Sequence, residues 1–394
     1  MSSPRVFLYV QHLLGIGHLT RAATLARALA SAGLQTTLVS GGSPVPAIAA
    51  ELAKDGVRLL QLPAASAADL SFRTLLDEAG RVVDEAWRRR RTAELLRAYE
   101  ACDPQVLVLE LFPFGRRQMR FELLPLLEAA AAAPRRPFVA CSVRDILGGR
   151  KSAERQEETL QWIARYFDRV LVHGDPAILE FGRSFPFAER IAAKLHYTGY
   201  VVNEAPASGC GADPGAGKDE VLVSAGGGAV GAALLEAAIR ARPLSSLRDR
   251  VWRVLAGNNL PQADFRRFAD LIAADSGIVL ERSRPDFVGL LSRCALSISQ
   301  AGYNTLMETL RAGARAVVVP FAAGQETEQT LRARCFAERG FVQVLEEASL
   351  TPAALAAAVD RAVGRPRPGA GAANFSGAAN SAALVARWAR EGVA

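Results

Sequence analysis

The residues best suited to chemistry lie at positions 296–329, where carboxylates, amides and glycines follow two predicted buried strands. The first strand ends at Ser299 and the second at Pro320, and the carboxyl ends of parallel strands are where ligands bind. The residues at these two ends are Gly302, Asn304, Glu308, Gly324, Glu328 and Gln329. Asn304 is expected to cap the helix that follows the first strand. The set suits the paired hydroxyl groups of a ribose or a sugar, although carboxylates also favour helix N-termini for structural reasons alone.

Two glycine-rich turns, each between a predicted strand and a helix, are candidate phosphate sites. Glycine lets backbone N–H groups approach a phosphate at the positive end of a helix. The first turn, Gly15 to Gly17, is no dinucleotide fingerprint, because Thr20 stands where the third glycine belongs. The second turn matches GxGxxG with Gly226, Gly227, Gly228 and Gly231, but no carboxylate ends the next strand. We therefore expect no nicotinamide or flavin cofactor, and tight turning alone remains an alternative for both turns.

Metal, disulfide and membrane-spanning functions find little support in the sequence. No Asp-x-Asp pair occurs, so no divalent ion held by carboxylates against a diphosphate is expected, and no other metal is expected either. The five scattered cysteines have no CxxC spacing, which is typical of reduced thiols. No apolar run is long enough for a spanning helix, and the N-terminal apolar stretch is too short for a signal peptide. We expect a cytoplasmic protein.

The positive net charge of +7 does not indicate nucleic acid. Of the 47 basic residues 43 are arginine, a skew that fits genomic base composition, and the aromatic residues are not interleaved with them. One concentrated run exists, Arg88–Arg91. We expect it to be a solvated helix face, and the alternative is a peripheral contact with the anionic inner face of the cell membrane.

Strand-like apolar runs alternate with amphipathic helices, which predicts an α/β fold with parallel sheets. The predicted strands are Val6–Val10, Thr36–Ser40, Gln105–Leu109, Phe138–Val143, Val170–His173, Val221–Ser224, Val251–Ala256, Leu296–Ser299 and Ala316–Pro320. Gly33 is expected to end the first helix, and Thr351 to cap a late one. A Pro- and Gly-rich stretch at 204–219 separates a first lobe, 1–203, from a second, 220–373. The last helix, within 374–394, is expected to pack back on the first lobe.

Several motifs in the two lobes together carry a family resemblance. The pattern S-x-x-G-Y-N-T-x-x-E, a V-P strand and the G-Q-E-x-E-Q loop resemble the nucleotide-sugar site of GT-B glycosyltransferases. MurG-like enzymes (glycosyltransferase family 28), including a bacterial group of predicted glycosyltransferases, are the most similar. The loop Gly15-x-Gly17-His18-x-x-Arg21 resembles the first loop of that superfamily, and the turn at 226–231 its phosphate loop. The glycine turn departs from the Gly-Gly-Ser of MurG by a third glycine and one extra residue.

The resemblance implies two Rossmann-like lobes whose parallel sheets face an interlobe cleft. It also implies an inverting, metal-independent transfer of a sugar from a nucleoside diphosphate donor, with UDP-sugars favoured, to an unidentified acceptor hydroxyl. The nucleotide sugar is then a co-substrate, and no cofactor is needed.

The resemblance also distributes roles among the residues. His18 is the general base, since its ordinary pKa suits proton transfer near neutrality, and Glu110 orients it. A neighbouring carboxylate is expected to raise the pKa of His18. Glu308 holds the ribose diol, and Glu328 and Gln329 hold the donor sugar. The acceptor-side candidates are Gly15, Gly17, Arg144, Asp145 and His173, and the last three also have a structural alternative.

Two functions of other classes remain open at this stage. One is a hydrolase or epimerase on the same scaffold, and hydrolysis would give His18 a water molecule in place of an acceptor. A non-catalytic protein would bind the nucleotide sugar without turning it over. Release of nucleotide in the absence of an acceptor separates transfer from hydrolysis, and the effect of His18→Ala separates both from simple binding.

Overall fold

The structure of the chain is a computed structural model that describes residues 3–69, 72, 74–149, 152–203, 215–226, 231–273, 277–284, 286–322, 327–369 and 371–392. The chain divides into two compact units. Unit 1 takes Met1–Leu147, Lys151–Val201 and Asn374–Ala394, and unit 2 takes Gly148–Arg150 and Val202–Ala373. Each unit contains its own parallel sheet, so the predicted α/β class is confirmed.

The sheet of unit 1 has seven strands in the order β3-β2-β1-β6-β7-β8-β9, all parallel. The strands of this unit are β1 (Arg5–Val10), β2 (Gln35–Ser40), β3 (Arg58–Gln61), β4 (Ser66–Ala67), β5 (Leu75–Leu76), β6 (Val106–Glu110), β7 (Phe138–Arg144), β8 (Arg169–His173) and β9 (Leu195–Tyr197). β4 and β5 form a separate antiparallel ribbon. The central strands read as continuous apolar runs because helices cover both faces of the sheet.

Five helices of unit 1 follow in chain order: α1 (Gly17–Ser31), α2 (Pro46–Lys54), α3 (Glu85–Cys102), α4 (Arg120–Ala132) and α5 (Ala153–Tyr166). α1 buries its Leu- and Ala-rich face against one side of the sheet. Its end agrees with the sequence, since Gly33 has a φ of +84°, which favours glycine, and donates its N–H to the carbonyl of Ala30. Asp84 begins α3 by accepting a hydrogen bond from the N–H of Trp87.

The run Arg88–Arg91 on α3 is not a single solvated face, which corrects the expectation from the sequence. Arg89 and Arg90 are exposed and Arg88 is half-buried, but Arg91 is completely buried. Arg91 follows Trp87 by four residues and therefore lies on the same buried face of the helix. It pairs there with Glu122 of α4, so it cannot contribute to a contact with a membrane.

Unit 2 contains a six-stranded parallel sheet in the order β12-β11-β10-β13-β14-β15. Its strands are β10 (Val221–Ser224), β11 (Trp252–Leu255), β12 (Ile278–Glu281), β13 (Leu296–Ser299), β14 (Ala316–Val318) and β15 (Gln343–Val344). Its helices are α6 (Ala232–Ala241), α7 (Gln262–Ile272), α8 (Phe287–Arg293), α9 (Tyr303–Arg311), α10 (Glu328–Glu338) and α11 (Pro352–Val363). Thr351 caps α11 as expected, since its side chain accepts from the N–H of Ala354.

The last helix, α12 (Gly377–Glu391), is part of unit 1 and packs on α1. The ring of Trp388 stacks on that of Phe138 at the start of β7, with 4.6 Å between ring centroids. At Gly377 an added Cβ would clash with the carbonyl oxygen of Gly199, so only glycine fits this approach. None of the helices in the described part of the chain has the length and apolar composition needed to cross a lipid bilayer.

Candidate active site

A histidine and a carboxylate meet at the carboxyl ends of two neighbouring strands of unit 1. His18 is the second residue of α1, directly after the loop that leaves β1, and Glu110 is the last residue of β6. β1 and β6 pair in parallel, with Tyr9 opposite Leu109, so both chain segments leave the sheet at the same edge. The Nδ1 atom of His18 lies 2.8 Å from Oε1 of Glu110. The structure thus brings together the two residues predicted as the catalytic pair.

The hydrogen bond defines the tautomer of His18. A carboxylate can only accept, so Nδ1 must carry the hydrogen and donate it to Glu110. Nε2 is then the proton-accepting nitrogen of the neutral ring. The His18 side chain is 16% exposed and that of Glu110 only 1%, so the carboxylate is enclosed while the ring keeps some access.

Arg21, one turn further along α1, binds the same oxygen of Glu110 as His18 does. The other oxygen, Oε2, is buried and has no hydrogen-bond partner among the described residues. Burial favours the protonated carboxyl, but the hydrogen bond from His18 and the positive charge of Arg21 outweigh it and lower the pKa of Glu110 to about 2. Glu110 is therefore an anion at every physiological pH.

The pKa of His18 is lowered to about 3, which corrects the expectation that Glu110 would raise it. Burial of the ring is the main cause, and the positive charges of Arg116 and Arg144 add to it, while Glu110 opposes both. The carboxylate cannot prevail because Arg21 already neutralises it. His18 is therefore a neutral imidazole, able to accept a proton, throughout the neutral pH range.

The remaining acceptor-side candidates of unit 1 separate into two kinds. Arg144 ends β7, is half-buried and acts electrostatically on His18. His173 is completely buried, with Nε2 2.7 Å from Oγ of Ser142 and Nδ1 2.9 Å from Oγ1 of Thr198, and burial lowers its pKa to about 3. Asp145 is 1% exposed and accepts from the N–H of the next residue. Both buried residues therefore have hydrogen-bond partners within unit 1.

In the first glycine turn, the contacts of the described residues do not explain why glycine is present. An added Cβ at Gly15 would meet no described atom within 4 Å, and Gly17 is the first residue of α1. In unit 2 the second turn is different. Gly226 has a φ of +60°, and a Cβ at Gly231 would clash with the Cβ of Ala225, so the fold itself requires both glycines. Gly227 and Gly228 lie outside the described residues.

Glu308 is a buried carboxyl group on α9 of unit 2. It is 9% exposed, and burial raises its pKa to about 7. The Nδ2 atom of Asn203 donates to its Oε1 over 3.4 Å, a long hydrogen bond that lowers the pKa only in part. A buried carboxyl with so little compensation is unfavourable for stability, and such groups concentrate at functional sites.

The N-terminus of α9 differs from the expectation that Asn304 caps it. Gly302 occupies the N-cap position with an extended backbone, φ −62° and ψ 143°, and Asn304 is the second helical residue. The helix begins earlier because the backbone already turns into helical geometry at Tyr303. An added Cβ at Gly302 would meet nothing within 4 Å, so packing among the described residues does not require glycine there.

The first residues of α10, Glu328 and Gln329, have protein partners. Oε1 of Glu328 accepts from Nη2 of Arg332 over 2.8 Å, and the residue is 4% exposed. Oε1 of Gln329 accepts from the N–H of Phe321. Gly324, predicted in the preceding loop, lies outside the described residues. In the described ranges no three His, Cys, Asp or Glu side chains come close enough to hold a metal ion.

Two residues at these sites are absent from the set predicted by the sequence. Arg116 lies six residues after Glu110, and its positive charge helps to lower the pKa of both Glu110 and His18. Asn203 is the last residue described before residue 215, and its side chain contacts Glu308. No sequence pattern marks either residue, because each reaches its place through the path of a loop.

Comparisons with known proteins agree with this description. Residues 227–383 match the model of the glycosyltransferase family 28 C-terminal domain. A curated relative from Syntrophotalea carbinolica is 32% identical over 155 residues, 38% of this chain and 41% of that protein. Another, from Gloeothece citriformis, is 28% identical over 136 residues, 34% of this chain and 36% of that protein. Both are named UDP-N-acetylglucosamine--N-acetylmuramyl-(pentapeptide) pyrophosphoryl-undecaprenol N-acetylglucosamine transferase, and the match spans less than half of either.

Solved structures resemble the chain over nearly its whole length. The glycosyltransferase of kitacinnamycin has a TM-score of 0.63 and 16% identity, covering 99% of this chain and 95% of that one. MurG of Acinetobacter baumannii has a TM-score of 0.57 and 15% identity, covering 98% and 99%. At such identities the likeness concerns the fold alone. Together the comparisons confirm the predicted resemblance to MurG-like proteins and the GT-B fold class, and they support the predicted enzyme class, a glycosyltransferase.

Proposed function

We propose that this chain is an inverting glycosyltransferase that moves a sugar from a nucleoside diphosphate to an acceptor hydroxyl, with His18 as the general base. The observation that carries the proposal is the 2.8 Å hydrogen bond between His18 and the buried carboxylate of Glu110. It leaves Nε2 as the proton-accepting nitrogen and supplies a negative charge for the imidazolium that forms when the ring takes a proton. A histidine oriented by a carboxylate is a recurrent arrangement for general-base catalysis.

In this reaction Nε2 of His18 removes the proton of the acceptor hydroxyl as its oxygen attacks the anomeric carbon. The bond from that carbon to the diphosphate breaks on the opposite face, so the configuration inverts. Glu110 stabilises the imidazolium, and Arg21 holds the carboxylate in place through the oxygen that both cations share. The proton leaves to solvent when the product dissociates.

Unit 2 supplies the donor-binding groups in this proposal. Glu308 accepts the two ribose hydroxyls, which compensates a carboxylate that now has one long hydrogen bond. Backbone N–H groups at the N-terminus of α9 and at the turn of Gly226 are proposed to stabilise the developing charge of the leaving diphosphate, so that no metal ion is required. Gln329 is proposed to contact the donor sugar through its amide nitrogen, since its oxygen is already used. The donor carrier is proposed to be UDP, as in the names of the curated relatives.

Nucleotide release from UDP-sugars, measured in the presence of EDTA and with and without a panel of hydroxyl acceptors, tests this function. We expect binding of UDP in EDTA and nucleotide release that depends on an acceptor and is lost in His18→Ala. His196→Gln is the matched control, because this histidine lies on the edge strand β9 and its ring packs against Trp388. Rapid stoichiometric release without any acceptor would make the chain a hydrolase. Failure to bind any nucleoside diphosphate, or a strict need for a divalent ion, would contradict the proposal.

A further inference from the structure

Arg332 is a completely buried arginine on α10 of unit 2. It follows Glu328 by four residues, so the two side chains lie on the same face of the helix. Its Nη2 atom donates to Oε1 of Glu328 over 2.8 Å, and the side chains of the pair are 0% and 6% exposed. A buried guanidinium is unfavourable unless its charge is paired, and Glu328 supplies the pairing charge.

The same guanidinium contacts the loop that leads into α9. Its Nη1 atom donates to the carbonyl oxygen of Ala301 over 3.3 Å. Its Cζ atom lies 5.4 Å from the centroid of the Tyr303 ring, which is also buried. Gly302, the N-cap of α9, stands between these two residues. Arg332 therefore connects the first turn of α10 with the start of α9, and these helices follow the neighbouring strands β14 and β13.

The contact with Ala301 sets the direction of the next backbone N–H group. The peptide bond between Ala301 and Gly302 is trans, and in a trans peptide the C=O and the following N–H point in opposite directions. Because Arg332 holds the carbonyl of Ala301, the N–H of Gly302 is directed away from the guanidinium. This N–H belongs to the helix N-terminus that is proposed to stabilise the leaving diphosphate.

The contact with Glu328 fixes the orientation of that carboxylate at the start of α10. Its Oε1 atom accepts a charge-assisted hydrogen bond from a guanidinium that cannot move within the core. The next residue, Gln329, is held separately, since its Oε1 atom accepts from the N–H of Phe321 over 3.1 Å. Both side chains that the family resemblance assigns to the donor sugar are therefore held in one arrangement.

We infer that Arg332 is a positioning residue that fixes the spacing between the diphosphate and the sugar parts of the donor site. In a nucleotide sugar these two groups are joined by one bond, so the N-terminus of α9 and the carboxylate of Glu328 must be correctly placed at the same time. The planar guanidinium has N–H groups in fixed directions and holds both. A lysine has one nitrogen on a flexible chain and cannot replace this pair of contacts. The role rests on the proposed function.

Isothermal titration calorimetry of the full chain with UMP, UDP and a panel of UDP-sugars tests the inference. The ratio of the UMP and UDP dissociation constants isolates the contribution of the second phosphate. In Arg332→Lys the preference for UDP over UMP should fall about tenfold, as expected when a hydrogen bond to a charged group is lost. The Kd of the UDP-sugar that the wild type binds most tightly should rise at least as much. The Kd of UMP should stay close to that of the wild type, because Glu308 still holds the ribose.

The matched control is Arg334→Lys, which changes an exposed arginine of the same helix that pairs with Glu346 at the surface. It should leave the affinities for UMP, UDP and the UDP-sugar unchanged. Thermal unfolding shows whether Arg332→Lys is folded. If it is not, the double variant Glu328→Gln/Arg332→Met removes both buried charges together, which proteins tolerate better than the loss of one partner, and should show the same loss of preference for UDP.

A folded variant that keeps the wild-type preference for UDP over UMP would overturn the inference. Equal weakening of UMP and UDP would overturn it too, because it would indicate that Arg332 supports the fold of unit 2 in general. In both cases a wild type that binds UDP would leave the proposed function intact. A wild type that binds no UDP would contradict the proposed function and, with it, this role of Arg332.

Discussion

Unit 1 contains two buried arginine–carboxylate clusters that differ in how completely their polar atoms are paired. In the first, Arg91 uses all three nitrogens, binding both oxygens of Glu122, Gln11 and the carbonyl of Gly41. Tyr9 adds a hydrogen bond to Glu122. In the second, Arg21 and His18 share one oxygen of Glu110, and the other oxygen has no described partner.

The difference distinguishes a structural cluster from the one that we propose to be catalytic. A buried polar network in which every member is paired fixes a unique arrangement of the chain, and here it connects β1, the loop after β2, α3 and α4. A buried carboxylate with an unpaired oxygen lowers the stability of the fold, so its presence needs another explanation, such as a role in function. At Glu110 we propose that this purpose is to stabilise the positive charge that develops on His18.

The largest effect on stability should follow from removing the carboxylate of Glu122, which belongs to the fully paired cluster around Arg91. Glu122→Gln leaves the buried charge of Arg91 uncompensated, so the free energy of unfolding should fall by roughly 3–5 kcal/mol, as for other buried pairs that lose one partner. Denaturant unfolding measures this, with Glu157→Gln as the control. That carboxylate pairs with Arg190 at the surface, where the two side chains are 43% and 51% exposed, and its loss should change the free energy of unfolding little. Equal losses in both variants would show that the buried Arg91–Glu122 pair contributes no more to stability than a surface pair.

A smaller effect is expected from Glu308 of unit 2, a second buried carboxyl group with few hydrogen-bond partners. Glu308→Gln should raise the donor KM about 10- to 100-fold, because a charge-assisted pair of hydrogen bonds is worth roughly 1.5–3 kcal/mol. Steady-state kinetics at several donor concentrations measures this. The control in the same unit is Glu347→Gln, which changes a carboxylate that accepts a hydrogen bond from the backbone N–H of Ala322. A donor KM unchanged in Glu308→Gln would remove this residue from the donor site.

The same substitution should increase stability at alkaline pH. The folded pKa of about 7 lies above the ordinary 4.5, so the folded state holds a proton that the unfolded state releases in between. The free energy of unfolding of the wild type therefore falls as pH rises from about 4.5 to 7, and Glu308→Gln removes this loss. Its Tm should exceed that of the wild type at pH 8 and match it near pH 4. The opposite order at pH 8 would contradict the raised pKa.

The smallest effect is expected from acidification. Because the pKa of His18 is lowered to about 3, the base stays neutral from pH 8 to pH 5, and the fraction able to accept a proton is unchanged. We expect kcat to vary by less than about twofold over this range, measured at saturating donor, since Glu308 affects donor binding. A kcat that falls with a midpoint near the ordinary pKa of histidine would show that Glu110 affects the pKa of His18 more strongly than burial and the arginines together do.

Much of the fold can be predicted from the sequence, because buried parallel strands are short apolar runs with clear ends. The sequence predicts β10 and β13 to the residue, and it predicts the end of α1 at Gly33 and the cap of α11 at Thr351. Strands of two residues, such as β4, β5 and β15, carry no periodicity, so the sequence does not predict them. The sequence does not predict the burial of Arg91, because in a run of four arginines the residue types do not show which one lies on the buried face of the helix.

The sequence predicts the part of the candidate site that follows from neighbouring strand ends. It does not predict the charged side chains that loops elsewhere in the chain bring near His18. His18 and Glu110 follow strands that pair, so their proximity is a consequence of topology. Arg116 is brought in by a left-handed backbone that no sequence pattern reports. The predicted direction of the pKa shift of His18 is wrong because it considers Glu110 alone and leaves out the burial of the ring, which is the main cause, and the charge of Arg116.

The central claim, that His18 and Glu110 act as one catalytic unit, is tested most directly by a double-mutant cycle in kcat. His18→Ala should lower kcat by about 10²–10⁴-fold, Glu110→Gln should lower it substantially, and both should leave the donor KM nearly unchanged. The double variant should be no slower than His18→Ala, because Glu110 has no imidazole to orient once the ring is gone. A double variant whose loss equals the product of the two single losses would contradict the account and make Glu110 an independent residue.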